Sequence, residues 1–137
     1  MRLIATLAAA TLALPAAAQI VLPDTDIAFV RPDVVVDGFA PLDSREGAFA
    51  KLDDLEDADL YSSVTGDEIG EIEDLIVDAS GQIRYAELDV GGFLGLGEKH
   101  VLVPFEQLRI LSDGGDEYRA YIAATEEQLE QYPEFRD

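Results

Sequence analysis

The sequence predicts a mainly β protein: a small antiparallel β-barrel with a short C-terminal helix, preceded by a signal peptide and an extended linker. Three observations carry that expectation. From Asp59 onward, short runs of alternating apolar and polar residues recur between Gly- and Asp-rich turns, as in small all-β domains. Near the end, Thr125-Glu126-Glu127-Gln128 is a capping box with two acids in the first turn, where the helix dipole favours them. At the start, a basic Met1-Arg2 precedes an apolar run and a group of small residues, the composition of an export signal.

Composition bounds the function. A chain of 137 residues with 48% apolar side chains is enough for one domain with a core. It has no Cys, no Trp and one His, with 29 acidic against 9 basic residues. Without Arg2, 8 basic residues remain and the net charge becomes −21. Those bases are scattered singly at positions 31, 45, 51, 84, 99, 109, 119 and 136. Binding to phosphate backbones requires clustered Lys and Arg, so nucleic acid is excluded as a partner, and an anionic membrane surface with it. An acidic surface favours solubility, basic partners and loosely held divalent cations.

In chain order, Leu3 to Leu14 is apolar apart from two Thr, and Pro15 and Ala16-Ala17-Ala18 follow. Residues 1–18 thus form a signal peptide cleaved before Gln19, which directs the protein to the periplasm. The twelve-residue apolar run rises about 18 Å as a helix, short of the roughly 20 residues of a membrane span. No Cys follows the cleavage site to take a lipid. Residues 19–52 are expected as an acidic linker, extended at least from Gln19 to Pro41, with Pro23, Pro32 and Pro41 interrupting any regular element. Asp43-Ser44-Arg45-Glu46 resembles a capping box before Ala48, Phe49 and Leu52 at helical spacing, so a short helix is expected near residues 44–52.

The barrel is expected over residues 53–135. Asp59 to Val64 is its first strand, and Thr65-Gly66-Asp67-Glu68 turns it into a second from Ile69 to Val77. There the parity slips, because Leu75-Ile76-Val77 are apolar in succession, which indicates a β-bulge or an end covered on both faces. Asp78-Ala79-Ser80-Gly81 turns the chain into Gln82 to Val90, with Ala86, Leu88 and Val90 on one face and Glu87 and Asp89 on the other. Val101, Val103 and Phe105 share a face of the fourth strand, which Pro104 terminates. Arg109 to Leu111 and Glu117 to Ala123 flank the turn Asp113-Gly114-Gly115-Asp116. In the last helix Leu129 faces the body and Pro133 ends it. Ile72, Ala86, Leu88, Val90, Val101, Val103 and Phe105 form the expected core.

Between strands three and four runs Gly91-Gly92-Phe93-Leu94-Gly95-Leu96-Gly97-Glu98-Lys99. Its glycines permit a tight or left-handed connection, yet a solvated loop has no reason to hold Phe93, Leu94 and Leu96. A phosphate loop is excluded, because Glu98 separates Gly97 from Lys99 and no helix follows. A dinucleotide fingerprint fails for want of the same helix. Two readings stay open: a loop folded over one barrel mouth, or a docking loop for a partner.

This succession resembles the PRC-barrel family, the small β-barrel shared by the photosynthetic reaction centre H subunit and a ribosome maturation factor. Asp59-Leu60-Tyr61, Gly66 to Asp74, Gly81, the Gly91 to Lys99 run, Val103-Pro104 and the closing Ala124 to Leu129 carry the resemblance. It implies a non-catalytic module for protein–protein contact or assembly, with no catalytic residue to carry over and no cofactor. The acidic charge and the missing companion domain separate this chain from the ribosome-associated branch.

The remaining chemistry is sparse. His100 has no Cys or second His to join it in a zinc site, and its parity is opposite to Val101 and Val103, so it is expected as a solvated strand residue. The acids from Asp53 to Asp59 offer oxygen ligands of the kind Ca²⁺ takes. An EF-hand register from Asp78 fails because Ile83 stands where Gly is required. No Ser has a nucleophile-elbow context, and with so many acids a pair at glycosidase spacing is uninformative. The expected function is therefore that of an exported, non-enzymatic module binding a protein partner or a second copy of itself. Gly92, Phe93, Leu94, Gly95, Leu96, Gly97, Glu98 and Lys99 are its expected partner-binding residues, and no metal ligands are assigned. The alternative is an acidic Ca²⁺-binding protein.

Overall fold

The computed structural model describes residues 29–44, 49–91 and 97–136. The expected signal peptide, the start of the linker, residues 45–48 and Gly92 to Leu96 lie outside the described residues. Among the described residues no helix is long and apolar enough to cross a membrane.

Seven strands form one sheet: β1 (Ala40–Pro41), β2 (Asp59–Ser62), β3 (Glu68–Val77), β4 (Ile83–Val90), β5 (Lys99–Pro104), β6 (Arg109–Ser112) and β7 (Tyr118–Ile122). Their order in space is β1-β6-β7-β2-β3-β4-β5. Ile110 near one end of that order and Val101 and Val103 at the other belong to one apolar cluster, so the sheet curls around its own core. Alternation sets the inner face: Ala86, Leu88 and Val90 on β4 and Val101 and Val103 on β5 are fully buried. The expected strand order along the chain holds, with ends shifted by one or two residues. The sheet is antiparallel except where β7 lies parallel to β2, Asp59 opposite Arg119 and Ser62 opposite Ile122. No hairpin joins those two strands, so no turn dictates their relative direction.

The parity slip in β3 is a bulge. Ile72 pairs with Leu88 and Asp74 with Glu87, leaving Glu73 as the extra residue. The shift turns Leu75 inward, opposite Ala86 and against the core. A second irregularity against β2 skips Ile69, which is buried in the same cluster. The turns use the chemistry their sequences offer. Asp78 Oδ1 accepts from the backbone N–H groups of Ser80 (2.9 Å) and Gln82 (3.1 Å), and Gly81 takes the left-handed φ of 86° that closes the hairpin.

Three expectations need correction. Phe105 is not a strand residue: Pro104 ends β5, and Phe105–Gln107 is a 3₁₀ turn with Phe105 only partly buried. The short helix starts later than its apparent capping box. Its single turn, α1, spans Leu52–Leu55 and buries Leu55, while Phe49 is 91% exposed. The Asp43 carboxylate takes Arg31 (3.0 Å) and Arg109 (2.9 Å), and the rest of its expected capping box lies outside the described residues. Residues 29–41 run without a helix as far as the 3₁₀ turn Leu42–Ser44, but not as a free linker. Ala40 and Pro41 pair with Ser112 and Leu111 of β6, Arg109 Nε donates to the Pro32 carbonyl (3.0 Å), and the Phe29 ring lies 5.7 Å from that of Tyr132.

At the other end, α2 (Glu126–Glu130) has both halves of its capping box: Gln128 N–H to Thr125 Oγ1 at 3.2 Å and Thr125 N–H to Gln128 Oε1 at 2.9 Å. Leu129 is fully buried. Beyond the helix Tyr132 and Phe135 are also buried, and the Phe135 N–H donates to the His100 carbonyl at 2.8 Å. The C-terminal segment is thereby held along the start of β5, the last strand of the sheet.

Candidate functional site

The outer face of β3, β4 and β5 gathers chemistry that the inner face lacks. Register places Glu71 opposite Asp89 and Asp89 opposite His100, so a carboxylate, a carboxylate and an imidazole lie in one row across three strands. The β3 bulge sets Glu73 beside that row. Glu87 lies two residues before Asp89 on the same face of β4, and Glu98 ends the loop that leads into β5. Glu73, Glu87 and His100 open onto a pocket of about 400 Å³ whose far wall is Glu134, Phe135 and Arg136.

His100 is where parity placed it, on the face away from the core, but it is not simply solvated. Its Nδ1 lies 3.3 Å from Glu87 Oε1 and 2.5 Å from Asp89 Oδ1. Asp89 lies, as expected, beside Glu87 on the face opposite Ala86, Leu88 and Val90, yet it is only 4% exposed, flanked by its neighbours on β3 and β5. Both Asp89 Oδ1 and His100 Nδ1 are shut off from solvent, and despite their close approach neither has a partner in hydrogen-bond geometry. Among the described residues no Lys or Arg forms an ion pair with Glu71, Glu73, Asp89 or Glu98.

Negative charge without counter-charge shifts titration in the expected direction. Burial, then a hydrogen bond with Glu73 and the fields of Glu73 and Glu98, push the Asp89 carboxyl up to about 7, against the opposing pull of His100. Burial also raises Glu71, with Asp57, Glu73 and Glu98 adding to it. The site is an attractor for cations, a proton or a metal ion. Among the described residues two groups bring ligand atoms within 4.8 Å of one another: Asp89, Glu98 and His100, and Glu71, Glu73 and Asp89. The Asp53 to Asp59 run is in neither group.

The expected partner-binding loop is described only at its edges. Gly91 (φ 84°) and Gly97 (φ 72°) are both left-handed, and Gly91 N–H donates to the Ile69 carbonyl at 3.0 Å. Gly97 and Glu98 are exposed. Lys99 opens β5, and its ammonium donates to the Glu130 carbonyl at the end of α2. Gly92, Phe93, Leu94, Gly95 and Leu96 lie outside the described residues.

Sequence reasoning weighed His100 alone and missed Asp89 as its partner. The signal was present: pairing the hairpin symmetrically from Val90 and Lys99 puts Asp89 opposite His100.

The family model of the PRC-barrel domain matches residues 49–129, more than half of the chain. The chain belongs to the PRC-barrel family. No curated protein matches it. In this PRC-barrel protein the matched stretch contains α1, β2 to β7 and α2 through Leu129. The row Glu71, Asp89, His100 therefore lies inside the PRC-barrel domain, whereas β1 and Phe135 lie outside the match.

Proposed function

We propose that this chain is an exported, non-catalytic PRC-barrel module that acts in the periplasm by binding a protein partner or a second copy of itself through the β4–β5 loop. The observation that carries this reading is the loop itself. Its sequence holds Phe93, Leu94 and Leu96 between glycines at left-handed φ, at the end of the hairpin that leads to the outermost strand. Large apolar anchors in such a place favour contact with a partner, since a few buried aromatic and aliphatic side chains dominate interface energy. Family membership supports a non-catalytic role, as PRC-barrel domains are in general non-catalytic. The apolar run and small residues before Gln19 support export.

The test needs two readouts on one protein. In a Phe93→Ser, Leu96→Ser double variant, self-association by sedimentation and partner capture from periplasmic extract should collapse. The denaturation midpoint of the monomer should move little, because exposed substitutions usually stay within about ±0.5 kcal/mol. A stability loss of several kcal/mol with binding lost only through unfolding would make the loop a plug of the barrel and overturn the reading. Retention of both association and stability would overturn it as well.

A further inference from the structure

We propose that Asp89, Glu98 and His100 form a binding site for a divalent ion of the zinc class at the foot of the β4–β5 hairpin. The site does not depend on the loop having a partner.

A group of exposed acids would carry no such claim, and this group differs in Asp89. That side chain is more than nine-tenths buried, and its Oδ1 is closed to solvent and lacks a hydrogen-bond donor. It points at a second buried atom without a partner, His100 Nδ1, only 2.5 Å away. Two such atoms that close need a cation between them, a proton or a metal ion, and a metal ion in place of the proton would open the contact to an ordinary ligand–ligand separation. With Glu98, the three residues each offer a ligand atom within 4.8 Å of the others. With zinc about 2.0–2.2 Å from nitrogen and carboxylate ligands, tetrahedral ligand atoms lie roughly 3.4 Å apart, so shifts of about 1 Å complete the triad: the Asp89–His100 contact opens and Glu98 closes in. The exposed Glu98 side chain is free to make them.

Ligand type selects the ion. Ca²⁺ takes six to eight oxygens, whereas one imidazole with two carboxylates suits zinc and its first-row neighbours. The all-oxygen group of Glu71, Glu73 and Asp89 shares Asp89, but it lacks the buried nitrogen that makes the first group specific. Asp89 precedes the loop while Glu98 and His100 follow it, and Asp89 and His100 are register partners. A bound ion would therefore tie together the two feet of the hairpin.

The chain without a polyhistidine tag is titrated with Zn²⁺ by calorimetry, and the same titration is followed by NMR at the imidazole. His100 is the only histidine, so its signals report ligation without ambiguity. One saturable site is expected per chain, with the His100 resonances moving in step with saturation and excess Ca²⁺ failing to displace the ion. Glu98→Gln should weaken binding by about tenfold or more, given that even losing an outer partner of a ligand costs about 10–100-fold. Its exposed position should leave the denaturation midpoint unchanged, so a misfolded Asp89→Asn variant would not blunt the test. Non-saturating heats, saturation without movement of the His100 signals, a Glu98→Gln variant that binds as tightly as the parent, or ready displacement by Ca²⁺ would each overturn the proposal.

Discussion

Gly70 on β3 and Asp89 on β4 touch backbone to backbone: a Cβ at position 70 would lie 1.8 Å from the Asp89 carbonyl oxygen and 2.9 Å from its carbon. No side chain fits there, and the obstacle is main chain that cannot rotate away. Gly70→Ala is therefore expected to push β3 off β4 and to cost at least the roughly 1–3 kcal/mol of an overpacked core. Chemical denaturation measures it. Because Asp89 would move with its strand, the resonances of His100, the one imidazole of the chain, should shift in the same variant. A midpoint and an imidazole signal both unchanged would mean that the strands are less closely apposed than described.

The second prediction concerns pH. In the folded chain the Asp89 carboxyl is raised from 3.8 to about 7, so between those values the native state holds a proton that the unfolded chain has released. Stability then falls as pH rises through that window, and the penalty is complete above about 7. The groups facing Asp89 are Glu71 and Glu73 on β3, Glu87 on β4, and Glu98 and His100 at the start of β5. Glu71 is raised as well, which adds the same sign. With a chelator present, the denaturation midpoint should drop from pH 5 to pH 8. Asp89→Asn should flatten that slope, since an amide of the same shape has no proton to lose. An equal slope in parent and variant would show that Asp89 is not the group responsible.

Much of the fold was legible because its determinants are local. The alternation of Ala86, Leu88 and Val90 fixes which face of β4 is buried, the apolar succession after Asp74 marks the bulge, and Thr125 and Gln128 cap α2 within four residues of each other. What stayed hidden depends on residues far apart in the chain. The parallel pairing of β2 with β7 joins Leu60 to Ala120, and no propensity at either position announces it. Asp43 read as a cap because its local sequence suits one, and nothing local announces Arg109, distant in sequence, which shares its carboxylate. The burial of Asp89 was not legible, because alternation assigns a face without saying what covers it. The candidate site was thus visible one residue at a time, and only register assembled it.

The last prediction tests the strap that residues 29–44 lay across the sheet. Asp43 holds it by taking one guanidinium from the strap itself, Arg31, and one from β6, Arg109. Arg31 Nε also donates to the Glu106 carbonyl (2.9 Å) and Arg109 Nε to that of Pro32, so the two arginines stitch the strap at both ends. Asp43 is more than half exposed and Arg109 mostly buried, which places the pair between a screened surface bridge and a buried one. Removing the carboxylate should cost about 1 kcal/mol or less of global stability, in line with exposed ion pairs. The local effect should be larger than the global one. Ala40 and Pro41 form only a two-residue edge strand on β6, too short to hold without its anchors. Asp43→Ala should therefore speed amide exchange and protease cleavage within residues 29–44, while exchange in β3 and β4 stays unchanged. High salt should do the same to the parent, because the anchors are partly exposed charges. Equal protection of the strap in parent and variant would show that Phe29 against Tyr132 and the β1–β6 pairing suffice to hold it, and that the Asp43 bridge is incidental.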